Sequence, residues 1–318
     1  MRPRLQHIIA ATLAASMVSC REELCYNHFG SADIDIEWSV PGGQQPSPSG
    51  ATVITYDNNG QPVEMFLPAD GGSLNFGDNG AQSMLIYNND TEKITLFGIS
   101  DGPRSVHATS TPGYRPAPQT LASRHPGEAT LNTPDMLYAA YIEAVPDADR
   151  HEIAALPVDM KPMVFSYTVR YNFEYGFERV TNARGALGGM AARVMLYNGE
   201  TTDDAAILVY DCRLDNNAVV ASVLSFGIPS FVPGETDRNR RENRAYTLNL
   251  EVTLTNGKTK SFDIDVAEQL QTQPRGGNIT VSGLRIEDSD SGTDSGFDPD
   301  LDDWNNNVDI DLPVGGQK

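Results

Sequence analysis

The chain has few of the residues that usually carry chemistry. Only 3 Cys, 2 Trp and 5 His occur in 318 residues. The histidines are scattered, so they form no ligand cluster. His151-Glu152 begins like a zinc-protease helix, but Ala155 stands where the second His must follow one turn later. Neither a G-x-S-x-G nucleophile elbow nor a phosphate-cradling Gly loop is present. No catalytic residue, cofactor or metal site is therefore expected. Basic residues are also scarce, 23 Lys and Arg against 43 Asp and Glu, which leaves a net charge of −20. Such a chain repels nucleic acid. Beyond the first twenty residues no apolar run is long enough to cross a bilayer as a helix.

The first twenty residues are different. Arg2 and Arg4 precede an apolar stretch, Ile8 to Val18, and Met17-Val18-Ser19-Cys20 closes it. The stretch has signal-peptide length and is short for a membrane span. It reads as a lipoprotein signal peptide over 1–19, cut before an acylated Cys20, although the usual pattern has Leu in place of Met17. Two or more acyl chains on Cys20 would anchor the chain stably to a membrane. Residues 20–31 then form a lipidated tether that starts with the charged Arg21-Glu22-Glu23. The oxidising compartment implied by export allows Cys25 to pair with Cys212, for about 4–5 kcal/mol in the chain-entropy picture. Cys212 is equally readable as a small buried hydrophobe.

Most of the remainder alternates with period two, the mark of half-buried strands. Ile34, Ile36 and Trp38 oppose Asp35 and Glu37. Thr52–Tyr56 and Val63–Leu67 flank Asn59-Gly60, a hairpin signal. Strands are expected again at Ser83–Tyr87 and Lys93–Ile99. Residues 102–134 are rich in Pro, Ser, Thr and Gly and read mainly as loop. Thr133-Pro134-Asp135 opens a short helix through Met136 to Ala144, with an edge strand carrying Leu137, Ala139 and Tyr141 as the alternative. Three prolines and several charges over Ala144 to Pro162 mark a linker, set at 151–162, between a sandwich over 32–150 and another over 163–286.

In the second half, Met163, Phe165, Tyr167, Val169, Tyr171 and Phe173 line one face of a long strand, which makes the tyrosines core rather than a glycan platform. Further strands follow at Arg193–Tyr197, Ala206–Tyr210, Ala218–Ser225, Tyr246–Thr255, Lys260–Val266 and Asn278–Ile286. Short strands between Gly, Asn and Pro turns give an all-β sandwich class. Arg238, Arg240, Arg241 and Arg244 form a basic island, read as an exposed loop. Residues 287–318 are an acidic spacer and a terminal strand: ten acids lie between Glu287 and Asp311, and Val308, Ile310 and Leu312 alternate with Asp309 and Asp311. Asp298, Asp300 and Asp302 are spaced like calcium-loop ligands, but Asp303 replaces the required Gly and the closing Glu is missing.

Four stretches carry a family resemblance: Cys20–Tyr26; Gly185-Ala186-Leu187-Gly188-Gly189-Met190-Ala191, with Gly188 where Ser is usual; Leu248–Thr255 with Asn256-Gly257-Lys258 and Phe262–Val266; and Gly296–Leu301 with Trp304. The chain resembles fimbrillin-like surface lipoproteins of Bacteroides-type bacteria, in a group of unassigned activity (a domain of unknown function). The resemblance implies two tandem transthyretin-like or immunoglobulin-like antiparallel β-sandwich domains on an outer-membrane lipoprotein exposed at the cell surface. It also implies a non-enzymatic accessory or anchor subunit of fimbriae, or an adhesin-like module. The membrane, through acylated Cys20, and fimbrial subunits or other surface proteins would be its partners. Related pilus subunits polymerise by strand exchange, a form of β-augmentation. Val308, Ile310 and Leu312 have the form of such a donor strand, or of one that closes on its own subunit. The competing expectation is a glycan-binding lipoprotein of a polysaccharide-uptake system, which would need exposed aromatic platforms at Trp38 or Trp304.

Overall fold

The computed structural model describes residues 31–39, 48–76, 81–145, 154–235 and 244–292. Nearly all regular secondary structure among these residues is strand, and the strands fall into four sheets. The first sheet holds β1 (Ser31–Trp38), β2 (Ala51–Tyr56), β3 (Pro62–Leu67), β4 (Gly71–Asn75), β5 (Ser83–Asn88), β9 (Tyr138–Ile142) and β10 (Ala154–Pro162), in the order β3-β2-β5-β9-β10-β1-β4. A smaller sheet, β13-β7-β6, covers it, formed by β6 (Ile94–Phe97), β7 (His107–Ser110) and β13 (Arg193–Met195).

The second sandwich packs two further sheets together. One is β15-β16-β11-β19, with β11 (Phe165–Tyr175), β15 (Arg213–Asp215), β16 (Ala218–Ser225) and β19 (Gly277–Arg285). The other is β18-β17-β12-β14-β8, with β8 (Ala129–Asn132), β12 (Val180–Ala191), β14 (Ala205–Asp211), β17 (Thr247–Leu254) and β18 (Thr259–Asp265). Two short helices, α1 (Gln119–Arg124) and α2 (Ala267–Thr272), and four 3-10 turns complete the described elements.

The alternating faces of the sequence become the cores. Ile34 and Ile36 of β1 meet Val53, Met84, Ile86, Val158 and Met160 in the first sandwich. Tyr167, Val169, Tyr171 and Phe173 of β11 meet Leu248, Leu250, Val252 and Leu254 of β17 in the second. Each such side chain contributes about 1.5–3 kcal/mol by leaving water. A third cluster joins the two sandwiches: Leu85, Val106, Ala108, Leu137 and Ala139 pack against Met163, Val164, Ala191, Val194, Leu196 and Phe226. The halves also exchange strands. β8, from the first half, pairs in parallel with β14, and β13, from the second, pairs with β7.

The all-β, two-sandwich class agrees with the sequence, and several details differ. The sheets are not purely antiparallel, since β1 runs parallel to β10, β19 to β11 and β8 to β14. Residues 154–162, expected within a linker, form β10, paired along β1. The helix expected over Met136–Ala144 is instead β9, in the middle of its sheet between β5 and β10. Tyr138, Ala140 and Ile142 face one core while Leu137, Ala139 and Tyr141 face another. Being apolar on both faces, it shows no alternation. The segment read mainly as loop, 102–134, supplies β7, α1 and β8.

The glycine-rich stretch of β12 has a steric cause. A Cβ at Gly185 would lie 2.2 Å from the Tyr210 ring, and one at Gly188 would lie 2.6 Å from the His125 ring. Gly189 has φ +87°, in the left-handed region, where the β12–β14 register slips between Leu187 and Met190. The carboxylate of Glu128 accepts from the Gly189 N–H at 2.8 Å and holds the His125 Nδ1 at 2.9 Å. These contacts lock α1 onto the outer face of β12, where Leu121 covers Ala186, Ile207 and Val209.

Candidate interaction surface

A chain with a closed core can still recognise partners through backbone that its own sheets leave unpaired. β9 and β10 are neighbours in the first sheet, but their ladder has two rungs, Lys161 with Ala139 and Pro162 with Tyr138. Beyond these the strands splay. The carbonyl of Met160 turns away, accepting from the Ser39 N–H at 3.0 Å. Strand geometry then turns the backbone of Pro157 and Asp159 toward β9. On β9 the Leu137 carbonyl accepts from the Met163 N–H at 2.8 Å, so Ala139 and Tyr141 turn toward β10. The same register would go on to pair Tyr141 with Asp159, and the ladder stops short of it.

The opening is a cleft of about 290 Å³, walled by Ala139–Ile142 on one side and Pro157–Asp159 with Lys161 on the other. Met163, Leu196 and Tyr197 form part of its lining, and Tyr197 meets Tyr141 edge to face at 6.2 Å. Pro157 lacks an N–H, and the missing donor falls on the cleft side, where no ladder bond needs it. Tyr56, beside Tyr141 and Tyr87, has its phenol pushed up to about 12 by burial. The cleft therefore offers hydrogen-bonding backbone between walls that mix Ile142, Met163 and Leu196 with Asp159, Lys161 and Asn198.

Other sheet edges are treated differently. β19 is an edge strand, yet Gln269 of α2 and Gln273 at the helix's C-terminal cap cover it. The Gln269 amide accepts from the Thr280 N–H at 2.9 Å and donates to the Thr280 carbonyl at 3.1 Å. Gln273 does the same for Asn278, at 2.7 and 3.0 Å. These amides imitate a neighbouring strand and block pairing there. β18 carries Lys260, Asp263 and Asp265 along its edge. β3 is less guarded, with Val63 56% and Phe66 68% exposed.

Few of the residues singled out in the sequence lie here. Cys20, Cys25, Trp304, Val308, Ile310 and Leu312 are outside the described residues, as are 1–30 and 293–318 as a whole. Cys212 is half-buried against the second core with no disulfide partner among the described residues, and burial pushes its thiol up to about 12. Trp38 is no exposed platform: its Nε1 donates to the Ala69 carbonyl at 2.7 Å and its ring packs edge to face on Tyr138 at 5.7 Å. Of the basic island, Arg244 pairs with Asp203 at 2.6 Å and Arg238, Arg240 and Arg241 are outside the described residues. The same holds for His151, Glu152, Asp298, Asp300 and Asp302. Among the described residues no group of three or more His, Cys, Asp or Glu is placed to hold a metal, and no helix is long and apolar enough to cross a membrane.

The cleft is not legible in the sequence, because its β10 wall reads there as linker. Leu156, Val158 and Met160 alternate with Pro157, Asp159 and Lys161, a period-two signal that the prolines masked.

Comparison with known proteins adds three findings. A family model described as a domain of unknown function (DUF5119) matches residues 19–211. No curated protein matches the chain. Among solved structures, a candidate adhesin from Bacteroides ovatus shares the fold, with TM-score 0.58 and 20% identity over 84% of this chain and 96% of its own. Fainter likenesses, on which no argument rests, reach the fimbrial anchor protein Mfa2 from Porphyromonas gingivalis (TM-score 0.45, 11% identity, 79% of this chain and 90% of that one). They also reach a candidate polysaccharide-binding protein (DUF1812) from Bacteroides thetaiotaomicron (TM-score 0.45, 10% identity, 81% and 93%).

Proposed function

The chain belongs to the DUF5119 family, and from that premise we propose that it is a non-enzymatic surface protein of the adhesin or fimbrial-accessory kind that binds partners through β-strand addition. The observation that carries this is the splayed pair β9 and β10, whose facing backbones at Tyr141 and Asp159 leave a ladder unfinished inside a sheet. Backbone groups give affinity to any extended segment, and the flanking pockets select its side chains. The shared fold with the Bacteroides ovatus candidate adhesin is compatible with such a role.

In this reading Cys20 is acylated and holds the protein on the outer membrane, facing the cell surface. The partners are fimbrial subunits or other surface proteins, and the occupant of the cleft is an extended segment of such a partner. Val308, Ile310 and Leu312 serve as the chain's own donor strand. Cys25 and Cys212 remain a proposed disulfide pair. The domains retain the proposed limits 32–150 and 163–286, with β10 assigned to the first. Glycan binding is the weaker alternative, since Trp38 is committed to packing.

A photo-crosslinking residue in place of the exposed, cleft-lining Lys161, introduced in cells of the native host, tests the proposal. Crosslinks to an extended segment of a surface subunit are expected. Crosslinks confined to residues 308–312 of the same chain would mean that the cleft is self-closed, and an absence of crosslinks would remove it as a docking site. Radiolabelled palmitate on the wild-type chain and not on the Cys20→Ala variant checks the anchor.

A further inference from the structure

The two ends of the described chain are each fastened by a parallel neighbour. β1 lies along β10 from Ala32 opposite Ala154 to Trp38 opposite Met160. β19 lies along β11 from Gly277 opposite Tyr167 to Arg285 opposite Tyr175. β10 and β11 follow one another with only Met163 and Val164 between them, both buried in the cluster that joins the sandwiches, and they form no ladder with each other. β10 therefore runs into the junction and β11 runs out of it. Ser31 lies at the outer end of the first sandwich and Arg285 at the outer end of the second.

We propose that the molecule bears tension between its two ends, with β1 and β19 as the strands that carry the load. A pull on Ser31, away from the junction, drags β1 lengthwise along β10 and, on its other flank, along β4. A pull beyond Arg285 drags β19 lengthwise along β11. In both cases the ladder bonds are strained together, whereas pulling a strand sideways breaks them one at a time. Between the two ladders the force passes through the covalent chain from β10 to β11.

The junction and the far end are built to match. The exchanged strands β13 and β8 cross between the sandwiches. The Leu196 N–H donates to the Val106 carbonyl at 3.0 Å, and the Thr109 hydroxyl donates to the Ala192 carbonyl at 2.8 Å. Past Arg285 the chain is tied again. The Ile286 N–H donates to the Tyr175 carbonyl at 2.9 Å, the Tyr175 hydroxyl donates to Asp288 at 2.7 Å, and Asp288 and Asp290 pair with Arg179 and Lys260. The Asn256 amide holds the Asp290 carbonyl at 3.1 Å. Load thus reaches β19 through a cross-linked turn rather than a frayed end.

The proposal rests on the reading that one end is held by a membrane and the other by a partner. Its test needs neither. The full chain is stretched in a single-molecule force instrument through ligation tags placed before Ser31 and after Gly292. The same chain is then pulled through tags before Ser31 and after Asn75, residues that lie opposite each other on antiparallel strands, so that β1 and β4 unzip. Forced rupture follows the unfolding barrier, and the end-to-end geometry is expected to need at least about twice the force of the unzipping one. Equal forces, or a lower end-to-end force, would overturn the proposal. Failure of the Lys161 crosslink with a high end-to-end force would remove the docking cleft and leave the load-bearing role standing.

Discussion

Tyr171 of β11 and Tyr210 of β14 face each other across the second core with hydroxyl oxygens 3.0 Å apart. Both side chains are buried, at 0% and 4% exposure, and burial raises both phenols above their ordinary range, so both are neutral at physiological pH. Tyr171→Phe removes one hydroxyl and leaves the other buried without its partner. The lost bond and the orphaned group together cost about 1–3 kcal/mol. Tyr210→Phe carries the same cost for the same reason, and neither change leaves a cavity larger than one oxygen atom. The double variant loses the bond and orphans nothing, so it should be less destabilised than the sum of the two by about 1–3 kcal/mol. Urea unfolding followed by far-ultraviolet circular dichroism measures all four chains, with the slope required to stay constant. Additive effects, or two neutral single variants, would refute the claim that these hydroxyls satisfy each other.

Replacing Gln269 and Gln273 together by Ala uncovers the backbone of Thr280 and Asn278; it should cost about 1–2 kcal/mol and raise concentration-dependent self-association in sedimentation, and an unchanged profile would show that β19 is not edge-guarded. In a chain with Cys20→Ser and Cys25→Ser, Cys212 should react with iodoacetamide at pH 8 at least ~10-fold more slowly when folded than in urea, because burial holds its thiol protonated; equal rates would contradict that placement. Asp288 is held below the usual carboxylate range by Tyr175 and Arg179, and Asp290 by Lys260. A lowered carboxyl stabilises above its unfolded value, near pH 4, and loses that contribution as pH falls through the folded one. Amide exchange at Ile286 to Asp290, corrected for intrinsic chemistry, should therefore rise only as pH falls below the ordinary carboxylate range, near pH 4, and stay flat between pH 5 and 8; a rise within the neutral range would point to a different group.

Strands with one wet face were legible from sequence. β1, β11, β17 and β18 lie within a residue or two of their alternating patterns, and Asn59-Gly60 joins β2 to β3 as expected. Elements without that contrast were not. β9 is apolar on both faces, and β10 hides its alternation behind Pro157 and Pro162. β12 hides behind three glycines whose reason for being there, the Tyr210 and His125 rings and a bulge, lies elsewhere in the chain. The cleft fared as its walls did, since both are made of these illegible strands.

The sequence by itself determined the fold class, the acidity and the positions of most strands, because these follow from local alternation, turn residues and charge. Only the tertiary structure decided which strands became neighbours. That β1 runs parallel to β10, that β8 and β13 change sandwiches, and that β9 and β10 part after two rungs all depend on residues far apart in the chain meeting on shared cores. Period-two patterning says which side of a strand is buried and is silent about the strand beside it.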